Sequence, residues 1–330
     1  MEASVTLERD PDIGAPPHAA GAFDPSGADV LAFAAREIAR GRPCCIATVV
    51  QIYGTSPRAV GAQMAVALDG RSAGHVSSGC LERAIVAEAR AAMETGASRL
   101  VRYGQGSQYI DIALPCGSAL QILFSVDPSR DALERALSTV RARRAFAMQF
   151  ELESGVVAYS ADAAPGLTTT HFTRAYTPRM RVIAAGQGAE LTTVARVVLA
   201  AGYDMCAVSP DEAALDACRH AGADTIRLRA AAGAPDLAID SFTAVVLLFH
   251  EREWEVPILK RALSSPAFYV GAVGSRRTAA ARLEDLFAVG VPPDDAARLR
   301  GPVGMLASTR DPSALALSAM TEIVGAWRAD

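Results

Sequence analysis

The chain has 330 residues, of which 51% are hydrophobic and 21% charged. That is enough for two domains with ample cores. A net charge of −4 argues against a nucleic-acid surface, and no apolar run reaches membrane-spanning length. The opening MEASVTLERD has neither the basic start nor the apolar stretch of a signal peptide, so the expected location is the cytoplasm.

Residues 1–27 are rich in Pro, Gly and Ala without apolar periodicity and predict a disordered tail. Asp29 to Arg40 reads as an amphipathic helix. Cys44 to Ile52 is almost continuously apolar, the pattern of a strand covered on both faces. Gly54, Ser56, Pro57, Arg58 and Gly61 then predict a rigid loop in which Pro57 fixes the shape, the two glycines allow close approach, and Arg58 offers a forked cation for phosphate or carboxylate. Gln63 to Val66 and Ser72 to Val76 predict two strands joined at Asp69-Gly70. A second loop, Ser77, Ser78 and Gly79, leads to Cys80 and a helix through Leu81 and Ile85 that Gly96 ends.

Six cysteines occur without a CxxC pair or zinc-site spacing. Cys44, Cys45, Cys206 and Cys218 fall in apolar strands or on a helix, where packing is their expected role. Cys80 and Cys116 sit beside glycine in loops. A thiol at a helix start has a lowered pKa and suits a nucleophile or soft metal ligand. The alternative for Cys80 is a small apolar residue closing a tight turn.

Leu100 to Tyr103, Ile110 to Ala113 and Ala119 to Val126 predict strands, the second followed by Leu114-Pro115-Cys116-Gly117. Pro128 to Arg143 predicts a helix, and Ala145 to Glu151 and Val156 to Ser160 predict two more strands. Residues 28–160 thus form a mixed α/β domain. Residues 161–178, with Pro165, Gly166, three threonines and Pro178, read as a linker.

Residues 179–330 read as a Rossmann-like domain with a largely parallel sheet. Arg181 to Ala185 is a buried-strand pattern, followed by Gly186-Gln187-Gly188 and a helix through Leu191 and Val194. The third glycine of GxGxxG is replaced by Leu191, and the acidic residue expected after the next strand is replaced by Ser209, with Asp211 two positions late. Thr243 to Phe249 delivers His250 to a strand's C-terminal end, where it can orient a ligand, shuttle a proton or cap the next helix. Ala267 to Val270 runs into Gly271-Ala272-Val273-Gly274-Ser275-Arg276-Arg277 ahead of a helix. Exposed N–H groups, a helix dipole and two arginines make this the best phosphate site in the chain. Two solvated arginines on a surface turn are the alternative.

Five motifs together resemble the XdhC/CoxI family of molybdenum hydroxylase maturation factors. They are Gly54 to Gly61, Ser77 to Glu82, Leu114 to Gly117, Gly271 to Arg277 and Gly301-Pro302-Val303-Gly304, with Ser78 and Ser118 standing where the family has glycine. The resemblance spans residues 28–330. It implies a homodimeric carrier, not an enzyme, that binds molybdenum cofactor as molybdopterin or its nucleotide form and protects it. The carrier delivers the sulfurated form to an apo molybdenum hydroxylase of the xanthine dehydrogenase type, with a cysteine desulfurase-type sulfurtransferase as a further partner. Arg58 and Gly271 to Arg277 would then meet the phosphate, and Cys80 or Cys116 the molybdenum or its sulfur. The alternative is an NAD(P)-dependent oxidoreductase using the Gly186 turn.

Overall fold

The computed structural model describes residues 27–54, 59–77, 81–105, 107, 119–231, 235–249, 251–306 and 311–329, with side chains to 327. The chain divides into two compact units that meet between Pro178 and Arg179.

The first unit contains α1 (Ala28–Ala39), β1 (Cys44–Tyr53), β2 (Gln63–Ala67), β3 (Ser72–Gly74), α2 (Glu82–Thr95), β4 (Arg99–Gly104), β5 (Ala119–Val126), α3 (Arg130–Arg141), β6 (Phe146–Glu151), β7 (Val157–Ser160), β8 (Gly166–Leu167) and β9 (His171–Tyr176). An antiparallel sheet of order β3-β2-β1-β5-β4 is central to it. Side chains of β1 alternate between two cores. Cys44 and Ile46 join α1 and α3, whereas Cys45, Ala47 and Val49 join α2. Coverage on both faces is why this antiparallel strand is continuously apolar instead of alternating with polar residues.

The stretch 161–178, expected to be a plain linker, carries β8 and β9. These complete a second sheet of order β7-β6-β9-β8, and β9 pairs with the whole of β6. Phe172 and Tyr176, four positions apart and so on one face of the strand, both bury their rings, and Tyr176 stacks on Phe146 with centroids 4.9 Å apart. The surrounding Pro, Gly and Thr obscured that pattern. The expected strand Ile110 to Ala113 and the tail before Gly27 lie outside the described residues.

The second unit contains β10 (Arg181–Gly186), α4 (Gly188–Ala200), β11 (Asp204–Ser209), α5 (Glu212–His220), β12 (Asp224–Arg227), β13 (Thr243–Leu248), α6 (Arg252–Leu263), β14 (Tyr269–Ala272), α7 (Arg276–Ala288), α8 (Pro293–Ala296), β15 (Leu299–Arg300) and α9 (Pro312–Ala329). Its six strands are all parallel, in the order β12-β11-β10-β13-β14-β15. Val182 and Ala184 face α4, α5 and α9, while Ile183 and Ala185 face α6 and α7. The chain reverses its direction of travel across the sheet between β10 and β13, which makes their C-terminal ends the usual ligand crevice. No helix among the described residues is long and apolar enough to cross a membrane.

Candidate cofactor and anion sites

In the first unit, strand register brings the flanks of the three glycine-bearing motifs to one end of the central sheet. Tyr53, which ends β1 just before the first motif, pairs with Ala119, the residue after the third, and Ala119 pairs with Gly104 on its other side. Because β2 and β3 are antiparallel and β2 begins opposite Thr48, the chain leaving Gly74 toward the second motif runs to that same end. Ser56, Arg58, Ser78, Gly79, Cys80, Cys116 and Gly117 lie outside the described residues, as does His250.

The described flanks are firmly held. Gly61 adopts φ +88°, donates its N–H to the Val49 carbonyl at 2.7 Å and returns the chain to the sheet. A side chain with a Cβ would be strained at that φ. Arg174 of β9 lies 3.6 Å from where that Cβ would stand. It donates to Gln63 Oε1 and lies over the Tyr176 ring at 4.1 Å. Tyr176 also donates to Gln63 Oε1, at 2.6 Å, while Gln63 Nε2 donates to Thr48 Oγ1 at 2.9 Å. The sequence reading missed Arg174 because it placed this residue in the linker.

Glu82 ends the second motif, and its carboxylate is buried. It accepts from the Ser77 N–H at 3.0 Å and from Ser77 Oγ at 2.5 Å, and Ser77 Oγ in turn accepts from the Leu81 N–H at 3.1 Å. The residues on either side of Cys80 are therefore tied to each other by a charge-assisted pair.

The four described cysteines are poor nucleophiles. Burial pushes the Cys44 thiol up to about 12 and the Cys206 thiol up to about 11, and it raises Cys45 and Cys218 as well. All four are protonated at neutral pH, in keeping with packing roles.

In the second unit the two glycine turns differ in electrostatic character. At the first, Gly186 lets β10 approach β13, since a Cβ there would stand 2.7 Å from Leu248 Cβ. Leu191 is fully buried in the core, where the nucleotide fingerprint has a glycine for close packing. Ser209 is buried, and its Oγ accepts from the Asp211 N–H at 3.0 Å. Asp211 caps α5 by accepting from Ala214 N–H at 3.2 Å and turns its other oxygen to the Gly188 N–H at 3.4 Å. The late acid thus reaches the turn, in front of the very donor a phosphate would use. With Glu190 also in the first turn of α4, a pyrophosphate here would have to displace a carboxylate of its own sign. The turn does not fit that group.

The second turn is the reverse. Gly271 lies where a Cβ would meet Val303 at 2.6 Å and the Tyr269 hydroxyl at 2.7 Å, and Gly274 adopts φ +140°. Ser275 caps α7, accepting from the Thr278 N–H at 3.1 Å. The N–H groups that open α7 have no intrahelical acceptor, no acid occupies its first turn, and Arg276 and Arg277 are exposed. Beneath this turn, Arg282 and Glu255 form a fully buried bidentate pair at 2.8 and 2.9 Å, and Arg282 also donates to the Val273 carbonyl at 2.9 Å. Removing one partner of such a pair costs roughly 3–5 kcal/mol because a charge is left buried alone. Glu322 of α9 accepts from the Tyr269 hydroxyl at 3.0 Å and from the Gly304 N–H at 2.6 Å, which fixes the neighbouring Gly301 to Gly304 loop. Residues Gly271, Gly274, Ser275, Arg276 and Arg277 are thus gathered at one helix start, while Gly186 and Gly188 belong to a separate, acidic turn.

Comparison with known proteins matches residues 37–104 to the XdhC and CoxI family and residues 182–323 to the XdhC Rossmann domain. The Escherichia coli molybdenum cofactor insertion chaperone PaoD is 32% identical over 295 residues, covering 89% of this chain and 86% of PaoD. The uncharacterized E. coli protein YqeB is 23% identical over 287 residues, covering 86% of this chain but 43% of YqeB. A crystal structure described as a xanthine dehydrogenase from Bacillus halodurans superposes with a TM-score of 0.74 over 91% of this chain and 96% of that one. At 21% identity it shares the fold.

Proposed function

Because this chain belongs to the XdhC/CoxI family, we propose that it is a molybdenum cofactor-binding accessory protein. In this reading it protects the sulfurated cofactor and delivers it to a molybdenum hydroxylase of the xanthine dehydrogenase type. The observation that carries the reading is the start of α7, where open N–H groups and two exposed arginines share a first turn that holds no acid. These suit the phosphate end of a pterin cofactor, with or without a nucleotide. Cys80 and Cys116 are the thiols we assign to the molybdenum or sulfur end, because burial leaves the four described cysteines protonated. Ser56, Arg58, Gly61, Ser78, Gly79 and Gly117 are assigned to cofactor contact, Arg58 at the phosphate end, and His250 is assigned to ligand contact. A carrier needs to bind, exclude water and release to its partner, and it needs no proton-transfer pair.

We further assign a cytoplasmic homodimer whose partners are the apo-hydroxylase and a cysteine desulfurase-type sulfurtransferase. The rival is an NAD(P)-dependent oxidoreductase, and the Gly186 turn separates the two. With Asp211 before the Gly188 N–H and Leu191 in the helix, titration with NAD(H) and NADP(H) up to millimolar concentration is expected to give no saturable signal. Saturable binding at micromolar concentration would overturn the carrier reading in favour of the oxidoreductase.

A further inference from the structure

We propose that the exposed face of α9, with Met305 and Leu306 beside it, is the surface through which two copies of this chain associate. The inference rests on the homodimer reading and gives that association a surface. Ser313, Leu317, Thr321 and Gly325 recur at four-residue spacing and form one exposed row along the helix. The only charged residues of α9 are Glu322 and Arg328, and Glu322 is committed to the Tyr269 hydroxyl and the Gly304 N–H. A surface helix ordinarily turns charge to water, as α3 does with Arg130, Asp131, Glu134 and Arg135. The row on α9 offers none.

The loop after β15 extends this face. Leu317 is 59% exposed, Met305 68% and Leu306 58%. The Met305 N–H donates to the Ser318 carbonyl at 3.4 Å and the Leu306 N–H donates to Ser318 Oγ at 2.7 Å, so both residues lie against the helix next to Leu317. Gly304 permits that approach, since a Cβ on it would stand 2.6 Å from Ser318 Oγ. A single exposed leucine is ordinary, but three adjoining long apolar side chains mark a contact surface.

Charge, shape and size select a second copy as the occupant. An uncharged row meets itself without like-charge repulsion, and interface centres are depleted of charge. A membrane surface or an acidic partner would call for cations along the row. Gly325 lies within the helix, where glycine is disfavoured relative to alanine, and a Cβ there would meet no described atom within 4 Å. Nothing within the described chain needs that glycine, whereas a helix laid closely across it does. An antiparallel two-fold centred between Leu317 and Thr321 sets Leu317 of each copy on Thr321 of the other and Ser313 on Gly325, larger against smaller. The 18 residues of α9 make a face about 27 Å long and about 10 Å wide, roughly 270 Å² in outline. With Met305 and Leu306 added, that suits the apolar centre of a standard interface of about 800 Å² per partner.

The test is sedimentation equilibrium of the full chain over a wide range of concentration, comparing wild type with Leu317→Lys, Gly325→Lys and the conservative Leu317→Met. Circular dichroism establishes that each is folded, which the exposure of both positions and the better helix propensity of lysine over glycine favour. The expected result is a wild-type dimer, retained in Leu317→Met, whose Kd rises about 100-fold or more in both lysine variants. Folded lysine variants that dimerise as wild type does would overturn this surface and leave the homodimer reading standing. A wild type that stays monomeric throughout would overturn both. Lysine variants that remain dimeric but no longer bind the apo-hydroxylase would give the face to the client and overturn the inference. Hydrogen exchange of the wild type needs no variant: α9 and residues 301–306 are expected to exchange more slowly as concentration drives association, and no change there would overturn the inference.

Discussion

Changing Arg276 and Arg277 together to alanine is expected to release the pterin cofactor while leaving the fold intact. Neither side chain is hydrogen-bonded to a described residue, so little native structure depends on them. A charge-assisted hydrogen bond is worth roughly 1.5–3 kcal/mol where a ligand excludes water, but exposed pairs give less than 1 kcal/mol. Two exposed arginines partly covered by a bound ligand should therefore contribute about 1–3 kcal/mol together, a loss of roughly 5- to 150-fold in affinity. Stability in urea is expected to stay within about 0.5 kcal/mol of wild type. Unchanged cofactor affinity would remove α7 from the site.

Cys80→Ser should abolish client activation with thermal stability retained, and Cys116→Ser is its control. Cys44, Cys45, Cys206 and Cys218 are held protonated by burial, so rapid alkylation at neutral pH should report on the other two thiols. If Cys80 supplies a thiolate, it should react faster than an ordinary thiol, and bound cofactor should protect it. Slow alkylation with or without cofactor, with a serine variant that loses stability but keeps activity per folded molecule, would make Cys80 a packing residue. Loss of activity in Cys116→Ser alone would move the assignment to Cys116.

Much of the architecture was legible because its signals are local. The continuous apolar run of β1, the glycine turn after β10 and the glycine-arginine turn before α7 each lie within one short segment. What escaped depends on distance in sequence. Arg282 meets Glu255 across 27 positions and Arg174 meets Gln63 across 111, and neither pairing leaves a periodic trace. Strand β9 was hidden by turn-forming neighbours, although Phe172, Arg174 and Tyr176 alternate along it. Asp211 stands two positions later than the nucleotide fingerprint requires. Two residues past β11, it still reaches the Gly188 N–H because it caps the next helix. Its effect there is opposite to the one its spacing suggested, since its charge guards the turn against phosphate.

The central claim is that this chain carries molybdenum cofactor, and its cargo tests that most directly. Purified from a host that makes the cofactor, the wild-type protein is expected to hold molybdenum and pterin in equal amounts. Both should fall together in Arg276→Ala/Arg277→Ala. A folded wild-type protein holding neither above background would contradict the account.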